Sequence, residues 1–242
     1  MTWNDIFTDT FKSLSERLGH CPSRQSMVEQ CLSEHSDLCR TAVEWGWLTS
    51  EQMSEAARRY LLGRSKSGRT IFWMIDDLGI VRDGHIGQGW VSQMLKARYP
   101  DMAGYIHARH CLFGLHLASL SDQPVAIVKS EAAAVILSML FPECIWLSYA
   151  YTANFTTDLL QPLQGRRVTI YPQTDEVGNT YVFFLEQADR IRRVYDIGLS
   201  VSRLLEVHAS EEQKARDIDL LDFLLESRGL TPLSGCALPG QE

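Results

Sequence analysis

Pro124-Val125-Ala126-Ile127-Val128-Lys129-Ser130-Glu131, read with Gly165-Arg166-Arg167-Val168-Thr169-Ile170-Tyr171-Pro172-Gln173-Thr174-Asp175-Glu176, decides the fold. Each stretch is a short, β-branched apolar run that ends in polar residues and opens into a helical pattern. Strand followed by helix, twice over, is the signature of a parallel sheet with crossover helices. In such sheets chemistry gathers at the carboxyl ends of the strands. The residues in that place are Lys129, Glu131, Gln173, Asp175 and Glu176.

Working outward, the pattern predicts a helix from Glu131, a strand over 145–148, a helix over 156–163 and a strand over 168–171. A further helix passes through Tyr181, Phe184 and Ala188, and a last strand lies within 194–201. Ser210-Glu211-Glu212 caps a short turn, and Asp219 begins a final helix carrying Leu220, Phe223 and Leu224. Upstream, 70–75 and 80–86 form a β-hairpin about Asp77-Leu78-Gly79, and Trp90, Val91, Met94 and Leu95 suit a short helix. Residues 1–63 read as helical. Trp3, Phe7, Phe11, Leu14 and Leu18 recur at helical spacing and stop at Gly19; Met27, Val28, Cys31 and Leu32 share a face; Ser36 caps a third helix. Thr49-Ser50-Glu51-Gln52 is a capping box for a fourth, which Gly63 closes. The expected organisation is a helical region 1–63, an α/β domain 64–228 led by the hairpin, and a disordered tail 229–242.

Hydrophobic residues make up 45% of the 242 and charged residues 22%, the balance of a soluble folded globule. The net charge of -7 removes a uniformly basic surface, so any hold on nucleic acid must be local. The basic candidates are Lys129, Arg166, Arg167 and the loop residues Arg64, Lys66 and Arg69. Six cysteines contain no Cys-x-x-Cys pair, the start lacks a basic-then-apolar signal, and no apolar run is long enough for a bilayer. The expectation is a reduced, cytoplasmic protein with no membrane contact. Cys31, His35 and Cys39, spaced by four near His20 and Cys21, would share one helix face. Without tight knuckles they read as helix-face residues rather than zinc ligands. His107, His110 and His116 lack interleaved carboxylates and read as hydrogen-bonded seam residues. Cys111, beside Leu112 and Phe113, reads as a buried, inert thiol. Trp45 and Trp47 are expected to be partly exposed, which makes the N-terminal helices a candidate surface for a protein partner.

Four short motifs in order, Phe72-Trp73-Met74-Ile75-Asp76, Cys111-Leu112-Phe113-Gly114, Val125-Ala126-Ile127-Val128-Lys129-Ser130-Glu131 and Asp219-Leu220-Leu221-Asp222, resemble a Toprim-like family of unknown function. Its members are similar to primase-type proteins of bacterial mobile elements, and the resemblance covers roughly residues 57–226. It implies a Toprim-like parallel sheet with crossover helices, preceded by the hairpin and the helical region. It also implies a strand-end Glu and an Asp-x-Asp that hold Mg²⁺ or Mn²⁺ against a phosphate. This chain departs from that pattern. Lys129 stands where the first Glu is expected and Gln173 where the first Asp is expected; Glu131 and Asp175 are kept. An ammonium beside a cation site repels the cation and can pair with Asp175 or Glu131. The implied protein is a non-catalytic module with a degenerate metal site and no cofactor, binding nucleic acid or a partner protein in a DNA replication or mobile-element context. The alternative is a metal-dependent nuclease or primase-like enzyme that uses Glu131, Asp175 and Glu176 as catalytic residues, with Asp175 and Glu131 on Mg²⁺ or Mn²⁺ and Asp219 or Asp222 in support. Without the resemblance, Asp175-Glu176 and Asp219 read as helix caps.

Overall fold

The computed structural model describes residues 23–151 and 155–233. The helix expected over 3–18, with Gly19, His20 and Cys21, and the tail from residue 234 lie outside the described residues. In chain order, α1 (Arg24–Cys31), α2 (Asp37–Glu44) and α3 (Ser50–Arg59) lead into an antiparallel sheet of β1 (Gly63–Arg64), β2 (Thr70–Ile75), β3 (Val81–Ile86) and β4 (Gly89–Trp90). Then come α4 (Val91–Arg98), a 3-10 turn (Pro100–Tyr105) and α5 (Leu115–Ala118). The α/β part is β5 (Val125–Val128), α6 (Glu131–Leu140), β6 (Ile145–Ser148), a 3-10 helix (Thr157–Leu163), β7 (Arg167–Ile170), α7 (Asn179–Val194) and β8 (Gly198–Val201). Three short helices follow: α8 (Leu204–His208), α9 (Glu211–Ala215) and α10 (Leu220–Ser227).

Strands β6-β5-β7-β8 form one parallel sheet in that order. All four residues of β5 and of β6 are buried, as expected of strands covered on both faces. One face, with Ala126, Val128 and Trp146, packs on α6 and through it on α2, α3 and α10. The other, with Val125, Ile127, Leu147, Val168 and Ile170, packs on Phe184, Ala188 and Ile191 of α7 and on Leu160 and Leu163. Helix α6 is buried along residues 131–138, so it is apolar all round. Ala132, Ala133 and Ala134 lie in one buried cluster with Ala56 and Ala57 of α3, and such small side chains suit close packing of the two helices.

Helices α2 and α3 are therefore part of the same apolar body as the parallel sheet. Tyr60, fully buried, donates its hydroxyl to the Trp146 carbonyl at 2.8 Å and stacks on Phe113. Phe113 exchanges backbone hydrogen bonds with Ser148 and covers the outer edge of β6. At the other edge, the Arg192 guanidinium donates to the Leu199 carbonyl of β8 at 3.0 Å. The third cluster packs α1 and α4 on the antiparallel sheet around Trp73.

Several expectations are corrected. Region 1–63 is not helical throughout: Gly63 does not stop α3 but pairs with Ile71 in β1. The stop is Leu61, in the left-handed region at φ 52, with the Leu62 N–H returning to the Ala57 carbonyl. Ser36 precedes α2 without capping it; its hydroxyl accepts from Thr70 across the fold. Trp47 is buried and donates to the Thr231 carbonyl, so residues 229–233 of the expected tail are packed in place, with Leu230 and Leu233 against the core. The Thr49–Gln52 capping box, the hairpin and the limits of β5, α6 and β6 are as the sequence predicts.

Gly63 and Gly84 flank Trp73, which is wholly buried. A Cβ on Gly84 would lie 2.7 Å from the Trp73 ring, and one on Gly63 2.7 Å from its Nε1. Gly84→Ala is expected to destabilise the fold by about 1–3 kcal/mol through overpacking, read as a lower urea midpoint at unchanged slope. A midpoint equal to wild type would show that the indole is not held as described.

Candidate functional site

The chain leaves β5 for β6 on one side and reaches β7 on the other, so the topological switch point lies between β5 and β7. At their carboxyl ends stand Lys129-Ser130-Glu131 and Pro172-Gln173-Thr174-Asp175. The Lys129 carbonyl accepts from Ser148 Oγ at 2.7 Å and from the Ala150 N–H at 2.9 Å, which stitches the exits of β5 and β6 together. Ala150 is held in the left-handed region at φ 59 by this arrangement.

Glu131 opens α6 and is buried, and its Oε1 lies 2.7 Å from Nδ1 of His85 on β3. Nε2 of the same ring is 3.0 Å from the Tyr151 hydroxyl. Burial and the charge of Glu131 push the Tyr151 phenol up, so it keeps its proton. Phenol, imidazole and carboxylate thus form one hydrogen-bonded chain from the solvent side to the buried first turn of α6. Beside this chain the Trp90 ring stacks on His110 at 3.8 Å, and His110 Nε2 lies 3.3 Å from Asp83. Burial pushes the Asp83 carboxyl up, but hydrogen bonds with His110, Ser92 and Gly84 outweigh it and hold the group below its ordinary range.

Asp175 supports the start of α7 from three residues before its N-cap, Gly178. Its carboxylate accepts from the N–H groups of Val177, Asn179 and Thr180 at the start of α7. Burial alone would raise its pKa; these bonds, led by that of Thr180, bring it down to about 2. Glu176 is exposed. Asp219 caps α10 by accepting from the Asp222 N–H at 3.0 Å and also accepts from Ser130 Oγ at 3.2 Å. Burial and neighbouring Asp222 push its carboxyl up. Gln173 Oε1 and Thr174 Oγ1 are buried and have no hydrogen-bond partner among the described residues.

The carboxylates are thus engaged separately, and the expected pairing of Lys129 with Glu131 or Asp175 does not form: the partner of Glu131 is His85 and those of Asp175 are backbone N–H groups. Among the described residues no three His, Cys, Asp or Glu side chains gather as metal ligands. Cys31 ends α1 and Cys39 lies within α2, with His35 between them, so the three do not share a helix face. Burial pushes the thiol of Cys31 up to about 11 and that of Cys111 up to about 12, consistent with inert side chains. His116 faces the Arg59 carbonyl and is held neutral by burial.

The six basic candidates do not form one patch. Arg166 donates to the carbonyls of Ala118, Ser121 and Gln123 at 2.6–2.7 Å, as a clamp at the amino end of the sheet. Arg167 opens β7 at that same end, away from Lys129. Arg64, Lys66 and Arg69 belong to the β1–β2 connection of the other sheet. Two groups at the right end escaped the sequence reading: Arg203, exposed just after β8, and Tyr151, after β6. Strand alternation gives Arg203 its place, but nothing local links Tyr151 to His85, 66 residues away.

The depressed pKa of Asp175 gives a signed prediction. The group contributes stability above its unfolded pKa, near 3.8, and loses it as pH falls through about 2. Asp175→Ala should lower stability by about 1 kcal/mol at pH 7, with the gap to wild type closing between pH 4 and pH 2 in urea titrations. A gap that persists at pH 2 would contradict this role at the start of α7.

Residues 41–174 match the profile of a family described as a domain of unknown function, DUF6371. No curated protein matches the chain. The matched segment runs from α2 to Thr174; it holds both sheets up to β7, with Lys129, His85, Glu131, Tyr151 and Gln173, and ends just before Asp175. It spans more than half of the sequence, and the chain belongs to this family of domains of unknown function.

Proposed function

We propose that this chain is a Toprim-like module with a disarmed metal site, which binds nucleic acid without catalysing phosphoryl transfer, in a DNA replication or mobile-element setting. The observation that carries the reading is the pattern of engagement at the switch point. Lys129 occupies the strand end, Glu131 is held by His85, and Asp175 is held by the first turn of α7. A hard divalent cation needs several oxygen ligands converging on one point, and these carboxylates are turned to other partners. That disfavours the nuclease or primase-like alternative built on Glu131, Asp175 and Glu176. A lysine at the carboxyl end of a central strand, in the crevice where such sheets hold their ligands, suits a phosphate. Arg203 adds a second cation at the same end of the sheet.

Two measurements test this. In calorimetric titration with Mn²⁺ the natural chain gives no binding, whereas Lys129→Glu with Gln173→Asp binds. Binding by the natural chain that Asp175→Ala abolishes would overturn the reading in favour of the metal enzyme. In fluorescence anisotropy with a labelled oligonucleotide, Lys129→Gln weakens binding and reduces the slope of log affinity against log salt by about 1. An unchanged slope would remove Lys129 from the interface.

A further inference from the structure

Away from the strand ends, a cavity of about 450 Å³ opens where three parts of the chain meet: the β2–β3 hairpin, the segment 109–115 and the 3-10 helix that precedes β7. That volume falls in the range of about 300–1,000 Å³ typical of small-molecule sites. Leu115, Leu159 and Pro162 give the cavity apolar surface, and Gln161 and Gln164 give it amide groups. Its charged side chains are of both signs. Arg82 is fixed by Asp76: Nε donates to Oδ2 at 2.6 Å, and Nη2 lies 2.5 Å from the same oxygen. Asp76 is held in turn by the N–H groups of Leu78 and Ile80. This clamp leaves the Nη1 hydrogens of Arg82 without a partner among the described residues. Arg109 and Asp77 are exposed, and neither has a hydrogen-bond or ion-pair partner among the described residues. Asp158 is exposed too; its Oδ1 accepts from the Tyr195 hydroxyl at 2.9 Å, which leaves its charge in place.

Arg82 and Asp76 neutralise one another, so the charges left around the cavity are Arg109 against Asp77 and Asp158. A lone anion, such as a phosphate, would meet two carboxylates there; a lone cation would meet two guanidinium groups. Like charges in one cleft repel, so neither is matched. A molecule that carries both signs is matched at each end. Arginine prefers a carboxylate for its planar, paired acceptors, and a free carboxylate of the chain takes an ammonium. We propose that this cavity binds a small zwitterion of the amino-acid or short-peptide class, its carboxylate at Arg109 and Arg82 and its ammonium at Asp158 and Asp77. The apolar lining takes the carbon skeleton between them. The inference is independent of the nucleic-acid reading, which concerns the carboxyl ends of the parallel strands.

The test uses the full chain and saturation-transfer NMR with pools of free amino acids and of dipeptides, which separates the two sources of this chemistry. The strongest binder, its methyl ester, its N-acetyl derivative and inorganic phosphate are then titrated by calorimetry. Binding from either pool is expected, and removal of either ligand charge should weaken it roughly tenfold or more, the scale of one charge-assisted hydrogen bond. Arg109→Gln should weaken the zwitterion and bring it level with its methyl ester. Asp158→Asn should weaken it and bring it level with the N-acetyl derivative, while the asparagine carbonyl still accepts from Tyr195. Both positions are exposed, so the variants keep the fold. Four results would each overturn the inference: no binding from any pool, equal affinity of the natural chain for the zwitterion and its methyl ester, phosphate bound as tightly as the zwitterion, or an affinity that neither variant changes. None of them bears on the Mn²⁺ and oligonucleotide measurements, so the two readings fail separately.

Discussion

A carboxylate on the first turn of a wholly buried helix has to find a partner, because an ionised group left alone in an apolar interior is very costly. Glu131 is that carboxylate, and His85 is its partner. The imidazole comes from the antiparallel sheet and the acid from the crossover helix of the parallel one, so the two sheets cannot move apart without exposing one of them unpaired. The contact ties β3 to the first turn of α6. Through Nε2 the hydrogen-bonded chain runs on to Tyr151.

The same contact explains the character of the strand ends. Crossover folds place their polar residues where β5 and β7 finish, and here three of the acids have been drawn into supporting the scaffold. Glu131 ties the sheets, Asp175 starts α7, and Asp219 starts α10 while receiving Ser130. What is left at the exits of β5 and β7 is Lys129 and Gln173.

Much of this was legible along the chain, and the reason differs from element to element. Val125–Val128 and Ile145–Ser148 announce themselves because buried parallel strands are unbroken apolar runs, and α6 because Ser130 caps a run that never turns polar. The roles of Asp175 and Asp219 at helix starts follow from local chemistry and agree with the plain reading of those residues. The failures share another cause. Gly63 looks like a helix stop until Trp73 occupies the space beside it, and Arg166 looks like a surface cation until three carbonyls from 118–123 converge on it. Trp47 looks exposed until residue 231 returns to cover it. His85 carries no signal at all that points to Glu131, since the 46 residues between them hide a contact made only when the sheets meet. Tertiary partners of this kind leave no periodicity to read.

The parallel sheet also governs what can be added to it. At the β6 edge Phe113 takes the backbone hydrogen bonds of Ser148 and Tyr60 takes the Trp146 carbonyl, and at the β8 edge the guanidinium of Arg192 donates to the Leu199 carbonyl. Open strand edges are templates for unintended pairing between chains. With acceptors occupied at both borders, this four-stranded sheet offers little for a further strand to pair with. Crowding many copies together would then bring helices and loops into contact, and leave each sheet to itself.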